Sequence, residues 1–205
     1  MRGERQVCLN CLANMSTTAF SAMNDNPVER RLMGRFPLEN ATAVYLFRQD
    51  NTVRNVVHAM KFHGNTELCL MMGRQMGLEL ISSGRFDDLD ALVPIPLHWR
   101  RRLMRGYNQS ELLCRGVGEV FNVPVCTDAV MRHRYTRQQS LQQSANRTSN
   151  VEGAFKVRKP ERLVGKHVLL VDDVLTTGAT IAACADVIAA VPDVRISVAT
   201  FCMAQ

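Results

Sequence analysis

No stretch of the 205-residue chain is long and apolar enough to span a bilayer, and the first twenty residues hold no run suited to a signal peptide. Together these absences predict a cytoplasmic, ordinary soluble protein with no membrane partner. Cysteine is odd in number, seven, and scattered, so reduced thiols are expected rather than a disulfide framework. Aromatics are scarce at 6%. No internal repeat or low-complexity tract appears, which excludes solenoids and disordered arrays. A Walker A loop is absent as well, because no Gly-Lys-Thr/Ser ending exists. What is present is the composition of a globular domain, 46% hydrophobic and 21% charged. The length suits one domain, or one domain with a small appendage.

The formal charge of +6 sits in one region. Between His98 and Arg147 stand nine arginines (100, 101, 102, 105, 115, 132, 134, 137 and 147) against three acids, Glu111, Glu119 and Asp128. That excess equals the net charge of the chain, so the remainder is neutral. A basic middle on a neutral protein points to a polyanion: phosphates of a small molecule or of nucleic acid. Base-stacking candidates in this region are few (Trp99, Tyr107, Phe121, Tyr135), which argues against a dedicated DNA groove.

After a polar stretch read as irregular to about Glu39, Ala43 to Phe47 reads as a strand. Val53, Val56, Val57 and Met60 form the i, i+3, i+4, i+7 stripe of an amphipathic helix stopped by Gly64. Thr66 is the expected cap of the next helix, with Leu68, Met71, Met72, Met76 and Leu80 as its apolar side. Ala91 to Ile95 is a short strand that Pro94 and Pro96 end in a shaped loop. Asn108 and Glu111 read as the capping pair of another helix, and a short strand is expected near Val123 to Val125. Residues 132 to 150 are polar and rich in Arg, Gln and Ser, the composition of a lid or a disordered segment. Val168 to Val171 is the continuous apolar run of a strand buried on both faces. A small-residue helix, Thr180 to Val191, and a strand, Val194 to Phe201, follow. Strands alternating with helices predict a doubly wound, mostly parallel α/β sheet.

Val168 to Thr180, VLLVDDVLTTGAT, carries the chemistry. Read alone, it is a buried strand ending at Val171, with Asp172 and Asp173 at the edge where open α/β sheets place ligands. Thr176, Thr177, Gly178, Ala179 and Thr180 then form a turn into a helix N-terminus, an anion seat suited to a phosphate. Two carboxylates beside a phosphate cradle suit a ribose 5-phosphate, whose 2- and 3-hydroxyls they would accept. A receiver domain opens on a similar strand but needs far more chain after it. An acid pair that only solvates a strand end accommodates one Asp more easily than two followed by TTGAT.

This thirteen-residue pattern resembles the signature of type I phosphoribosyltransferases. Further blocks resemble the ComF-like branch of that superfamily: Lys61-Phe62-His63-Gly64, Val93 to His98 (VPIPLH), Arg105 to Ser110 (RGYNQS), and Arg137, Gln138, Arg147, Asn150 and Ala154-Phe155. The resemblance implies a type I phosphoribosyltransferase fold with a small N-terminal hood over residues 1–42 and a transferase domain over 43–205. It implies that Asp172 and Asp173 hold the ribose hydroxyls of 5-phosphoribosyl 1-pyrophosphate (PRPP) and that Thr176 to Thr180 hold its 5-phosphate. Pro94, Ile95 and Pro96 would shape a pyrophosphate loop with Arg105 as its cation, leaving Arg100, Arg101 and Arg102 as general field. Arg137 would act from a closing loop, and Mg²⁺ would be held mostly by water and substrate oxygens.

In that branch a four-cysteine zinc knob precedes the domain. Here only Cys8 and Cys11 stand in its place, so Zn²⁺ at an incomplete site and a metal-free segment both stay open; Cys69, His58 and His63 have no spacing that completes the set. Two functions are expected to compete. One is Mg²⁺-dependent transfer of a phosphoribosyl group to or from a nitrogen nucleophile. The other is a non-catalytic accessory of DNA uptake, as the branch is associated with natural competence, binding single-stranded DNA, a nucleotide or the competence helicase machinery.

Overall fold

The computed structural model describes residues 15, 17–48, 52–62, 64–133 and 153–204. Strands β1 (Ala41–Phe47), β2 (Ala91–Pro94), β5 (His167–Leu175) and β6 (Arg195–Ala204) form one sheet in the order β1-β6-β5-β2. All three neighbouring pairs are parallel. A separate antiparallel pair joins β3 (Val130–Arg132) to β4 (Phe155–Val157). The helices are α1 (Pro27–Leu32), α2 (Thr52–Phe62), α3 (Thr66–Ser82), α4 (Trp99–Arg105), α5 (Gln109–Phe121) and α6 (Ala179–Ala189). This is the doubly wound α/β architecture expected of a type I phosphoribosyltransferase fold.

Strand periodicity sorts the core into two layers. Val168 and Leu170 of β5 join Val28 and Leu32 of α1, Ile181 and Ile188 of α6, and Val130 and Phe155 of the small pair. Leu169 and Val171 face the other way, among Val56 and Met60 of α2, Met72 and Met76 of α3, and Leu113 and Val117 of α5. Burying each such Leu or Met contributes about 1.5–3 kcal/mol, so both faces of β5 are anchored. The centre of the sheet is therefore rigid up to the edge that carries the acids.

Several boundaries differ from the sequence reading, each for a local reason. Asn65, not Thr66, caps α3: its side chain accepts the Leu68 N–H at 3.0 Å. The supposedly irregular segment before Glu39 contains α1, held by a capping box in which Asn26 accepts from Val28 and Glu29 while Glu29 accepts from the Asn26 N–H. Glu111 does not close a box on Asn108; it pairs with Arg115 at 2.8 Å and Arg102 at 3.8 Å. Near Val125 there is a single bridge to Leu92 rather than a strand. β5 also runs past Val171 to Leu175, with Asp172 in register opposite Thr200 of β6.

At the N-terminal edge, His167 contacts Asp88 through Nδ1 and Ser197 through Nε2, both at 2.8 Å. Asp88 also accepts from Arg195 at 2.6 Å. The order Ser–His–Asp is that of a hydrolytic triad, yet Ser197 is 0% exposed and His167 1%. With no route for a substrate to the hydroxyl, this network fastens strand ends. Asp172 and Asp173 stand at the opposite edge.

Candidate ribose-phosphate site

Extending β5 to Leu175 makes Asp172 and Asp173 consecutive strand residues, so their side chains leave on opposite sides. Asp172 turns to the N-terminus of α5, where its Oδ1 accepts from Ser110 Oγ and from the Asp173 N–H, both at 2.9 Å. Asp173 turns to α2, where its Oδ2 lies 2.8 Å from Lys61 Nζ. Ser110 is held in turn: its N–H donates to Asn108 Oδ1 at 3.2 Å, and Asn108 Nδ2 donates to the Ile95 carbonyl at 3.0 Å. RGYNQS thus ties the proline loop after β2 to the acid pair through one capping asparagine.

Burial, reinforced by the neighbouring Asp173 charge, pushes the Asp172 carboxyl up to about 7, against the pull of the Asp173 N–H, Ser110 and Lys61. Because the folded value lies above the ordinary 3.8, the folded chain binds this proton more tightly than the unfolded one. The resulting stabilisation is fullest below the ordinary value and is lost as pH rises to about 7. Asp172→Asn is therefore expected to raise the melting temperature of the ligand-free chain at pH 8 by about 4 °C and to flatten its change between about pH 4 and 7. Scanning calorimetry across that range checks this; an unaltered pH dependence in the variant would contradict the assignment.

The turn after β5 is built from the backbone. Gly178, at φ 78°, precedes α6 with no side-chain cap. Arg31 donates to the carbonyls of Thr176 (2.8 Å) and Ala204 (2.9 Å), and Arg35 to that of Thr177 (2.8 Å). These arginines fix the turn from its carbonyl side, while the first N–H groups of α6 have no partner within the helix. That is an anion seat with its outer wall braced.

Between turn and proline loop lies a cavity of about 200 Å³ lined by Ile95, Pro96, Arg105, Asp172, Asp173, Thr176 and Thr180, all named from the sequence. Pro94 instead lines an adjoining groove. Thr177, Gly178 and Ala179 complete the turn. Arg137, Cys8 and Cys11 lie outside the described residues.

The cavity also contains residues the sequence reading had not assigned: Lys61, Arg101, Gln109, Ser110 and Arg132. Lys61, Gln109 and Ser110 stood inside the quoted motifs without a role. Arg101 had been set aside with Arg100 and Arg102 as general field, which its place in the cavity wall corrects. Arg105 donates to Gln109 Oε1 at 3.0 Å, and its guanidinium lies 5.6 Å from the Phe62 ring centre. Burial lowers the Arg105 and Arg132 pKa values, with the charge of Arg101 adding to both. Gln109 Nε2 is buried without a partner of hydrogen-bond geometry, the nearby Tyr107 hydroxyl donating to the Met60 carbonyl at 2.7 Å. A buried amide donor left open in a cationic cavity suits an oxygen-rich anion.

Among the described residues no group of three or more His, Cys, Asp or Glu is placed to hold a metal. Two adjacent carboxylates without a third ligand suit Mg²⁺ bound mainly through water and ligand oxygens, not a caged metal. All five described cysteines are buried, and burial pushes Cys69 up to about 12, away from a reactive thiolate. No described helix is long and apolar enough to cross a membrane.

Residues 109–204 match the family model described as phosphoribosyl transferase domain. The chain is 35% identical over 130 residues to the DNA utilization protein YhgH of Escherichia coli K12, covering 62% of this chain and 56% of that one. It is 28% identical over 130 residues to competence protein F of Haemophilus influenzae, covering 62% and 57%. Against competence protein ComFC of Bacillus subtilis the figures are 26% over 153 residues, covering 74% and 58%. The chain thus spans a little over half the length of these curated relatives. The transferase-type match begins on the helix bearing Gln109 and Ser110, and the chain is similar to proteins named for competence and DNA utilization.

Proposed function

We propose that the cleft binds PRPP with Mg²⁺ and transfers its phosphoribosyl group to, or back from, a nitrogen nucleophile. The observation that carries this reading is the charge layout: Lys61, Arg101, Arg105 and Arg132 against two carboxylates, in a cavity bounded by a phosphate-type turn. The four cations exceed the two carboxylates by two and bound Mg²⁺ would add two more; a single phosphate, at about −2, balances half of that, whereas a 5-phosphate plus a pyrophosphate covers it. Asp172 and Asp173 accept hydrogen bonds from the ribose hydroxyls, and Thr176 to Thr180 hold the 5-phosphate. Pro94, Ile95 and Pro96 shape the pyrophosphate seat, with Arg105 and Gln109 donating to it. In the forward direction the C1–O bond breaks with its electrons passing to pyrophosphate, and the nitrogen lone pair forms the C1–N bond. Mg²⁺ supplies charge neutralisation for the leaving pyrophosphate. Arg137 remains a catalytic candidate on its motif alone.

Pyrophosphate release from PRPP, followed against a panel of free bases and amines, tests the transfer. Release that depends on one nitrogen acceptor supports it; PRPP binding without release under any acceptor reduces the site to a binding one.

A second reading, an accessory role in DNA uptake, draws on the names of the relatives and on α4. There Trp99, Leu103 and Met104 are exposed, and Arg100 lies 5.3 Å from the Trp99 ring centre. An aromatic flanked by arginines suits stacking and phosphate contact with a single strand. Single-strand binding that falls steeply with salt supports this reading, and no retention at low salt ends it.

A further inference from the structure

The ion pair of Lys61 with Asp173 joins a helix to the catalytic edge of the sheet, with side chains 22% and 14% exposed. The origin of the lysine is fixed. Met60 beside it is fully buried, and the Met60 carbonyl accepts the Tyr107 hydroxyl at 2.7 Å. The ammonium is carried on a flexible four-carbon stem, on which it redirects easily. Lys61 lines the 200 Å³ cavity and also a second, mostly apolar one of about 270 Å³ bounded by Phe47, Val57, Phe62 and Val174. It therefore stands at the junction of the two spaces.

In the ligand-free arrangement the ammonium covers Asp173 Oδ2. A divalent cation that uses this oxygen meets the ammonium's charge at contact distance and must displace it; a sugar hydroxyl can use a remaining lone pair. The displaced ammonium needs another anion within reach, and the remaining charged groups of that cavity wall are Arg101, Arg105, Arg132 and the Ser110-bound Asp172. Only an incoming phosphate supplies a new partner without leaving a half-buried charge uncompensated.

We propose that Lys61 is a positioning residue that exchanges partners, holding Asp173 in the empty site and passing to a phosphate oxygen of the ligand when it binds. Asp173 is thereby released to a divalent cation only once phosphate has arrived. The inference rests on the reading of this cleft as a PRPP-type site. It gives the Lys-Phe-His-Gly element a chemical reason: the cation belongs at the end of α2, one residue beyond the buried stripe.

Lys61→Met tests it by two titrations read together, Mn²⁺ alone by loss of its free paramagnetic signal, and metal-free PRPP by calorimetry. The exchange predicts opposite changes: Mn²⁺ alone binds the variant about 10-fold more tightly than wild type, and metal-free PRPP about 10-fold more weakly. Lys61→Arg restores the PRPP affinity. A lysine that only braces the fold lowers both affinities together, and that result, or no change in either, overturns the proposal. Should Lys61→Met fail to fold, the wild-type chain still decides. It has four lysines, Lys61, Lys156, Lys159 and Lys166, so ¹³C-methylated amines give a resolvable spectrum. The Lys61 signal, assigned by its loss in Lys61→Arg, should shift with PRPP and stay in place with Mg²⁺ alone. PRPP binding with that signal unmoved sinks the exchange but spares the site; no PRPP binding at all sinks the site reading as well.

Discussion

Asp173→Asn is expected to lower the affinity of the chain for PRPP in the presence of Mg²⁺ by about 100-fold, as read by calorimetry on a variant whose circular dichroism matches wild type. The substitution keeps the shape of the side chain and removes its charge. That carboxylate is the partner of Lys61 at 2.8 Å, and it stands beside Asp172, whose burial favours the neutral carboxyl. An asparagine still accepts a hydroxyl weakly, but it cannot balance a cation or anchor the sugar with charge-assisted strength. Asp172→Asn is expected to cost less affinity, because its position already favours a neutral carboxyl. Equal affinity for PRPP in wild type and Asp173→Asn would remove the acid pair from the binding site.

Gly116→Ala lowers the melting temperature by about 10 °C, the largest stability effect expected of a single methyl in this fold. Helices α3 and α5 cross where Gly73 and Gly116 face each other. A Cβ on Gly116 would meet the Leu70 carbonyl oxygen and, at 2.7 Å, the Arg74 amide nitrogen. These are backbone atoms that no rotamer change moves aside, so the helices must separate. Because α5 carries Gln109 and Ser110 on its first turn, the shift also loosens the support of Asp172. PRPP affinity should therefore fall with stability even though the mutated residue lies away from the ligand. A thermal melt with and without PRPP checks both; a melting temperature within a degree or so of wild type would show that the helices are not in close contact.

What was readable in the sequence follows from how local each signal is. The run Val168 to Val171 and the stripe Val53, Val56, Val57 and Met60 depend on periodicity alone, and all eight residues are buried. The small pair β3–β4 has three residues per strand, too few to show an alternation. Helix α4 was invisible for a different reason: Trp99, Leu103 and Met104 face solvent, so no inward stripe exists. Helix α1 lies in a stretch read as irregular because its polarity conceals it; the overlooked signal is Asn26-Pro27-Val28-Glu29, a cap, a proline and a closing glutamate.

At the site the same rule holds. Asp172, Asp173 and the threonine–glycine turn are contiguous, so a motif contains them. Lys61 and Arg101 reach the cavity from separate helices, and their part is set by tertiary packing that spacing does not encode. The seven cysteines illustrate the converse. Five are buried in the described core, where they pack as small apolar residues, and burial, not reactivity, accounts for their number.

In the proposed function, one cleft accommodates both ends of a phosphoribosyl pyrophosphate. Calorimetric titration of the wild-type chain with PRPP, ribose 5-phosphate and pyrophosphate, each with Mg²⁺, tests it most directly. PRPP should bind at least about 10-fold more tightly than either fragment, since the turn and the cationic wall then act on one molecule. No heat with PRPP, or an affinity no better than that of ribose 5-phosphate, would contradict it.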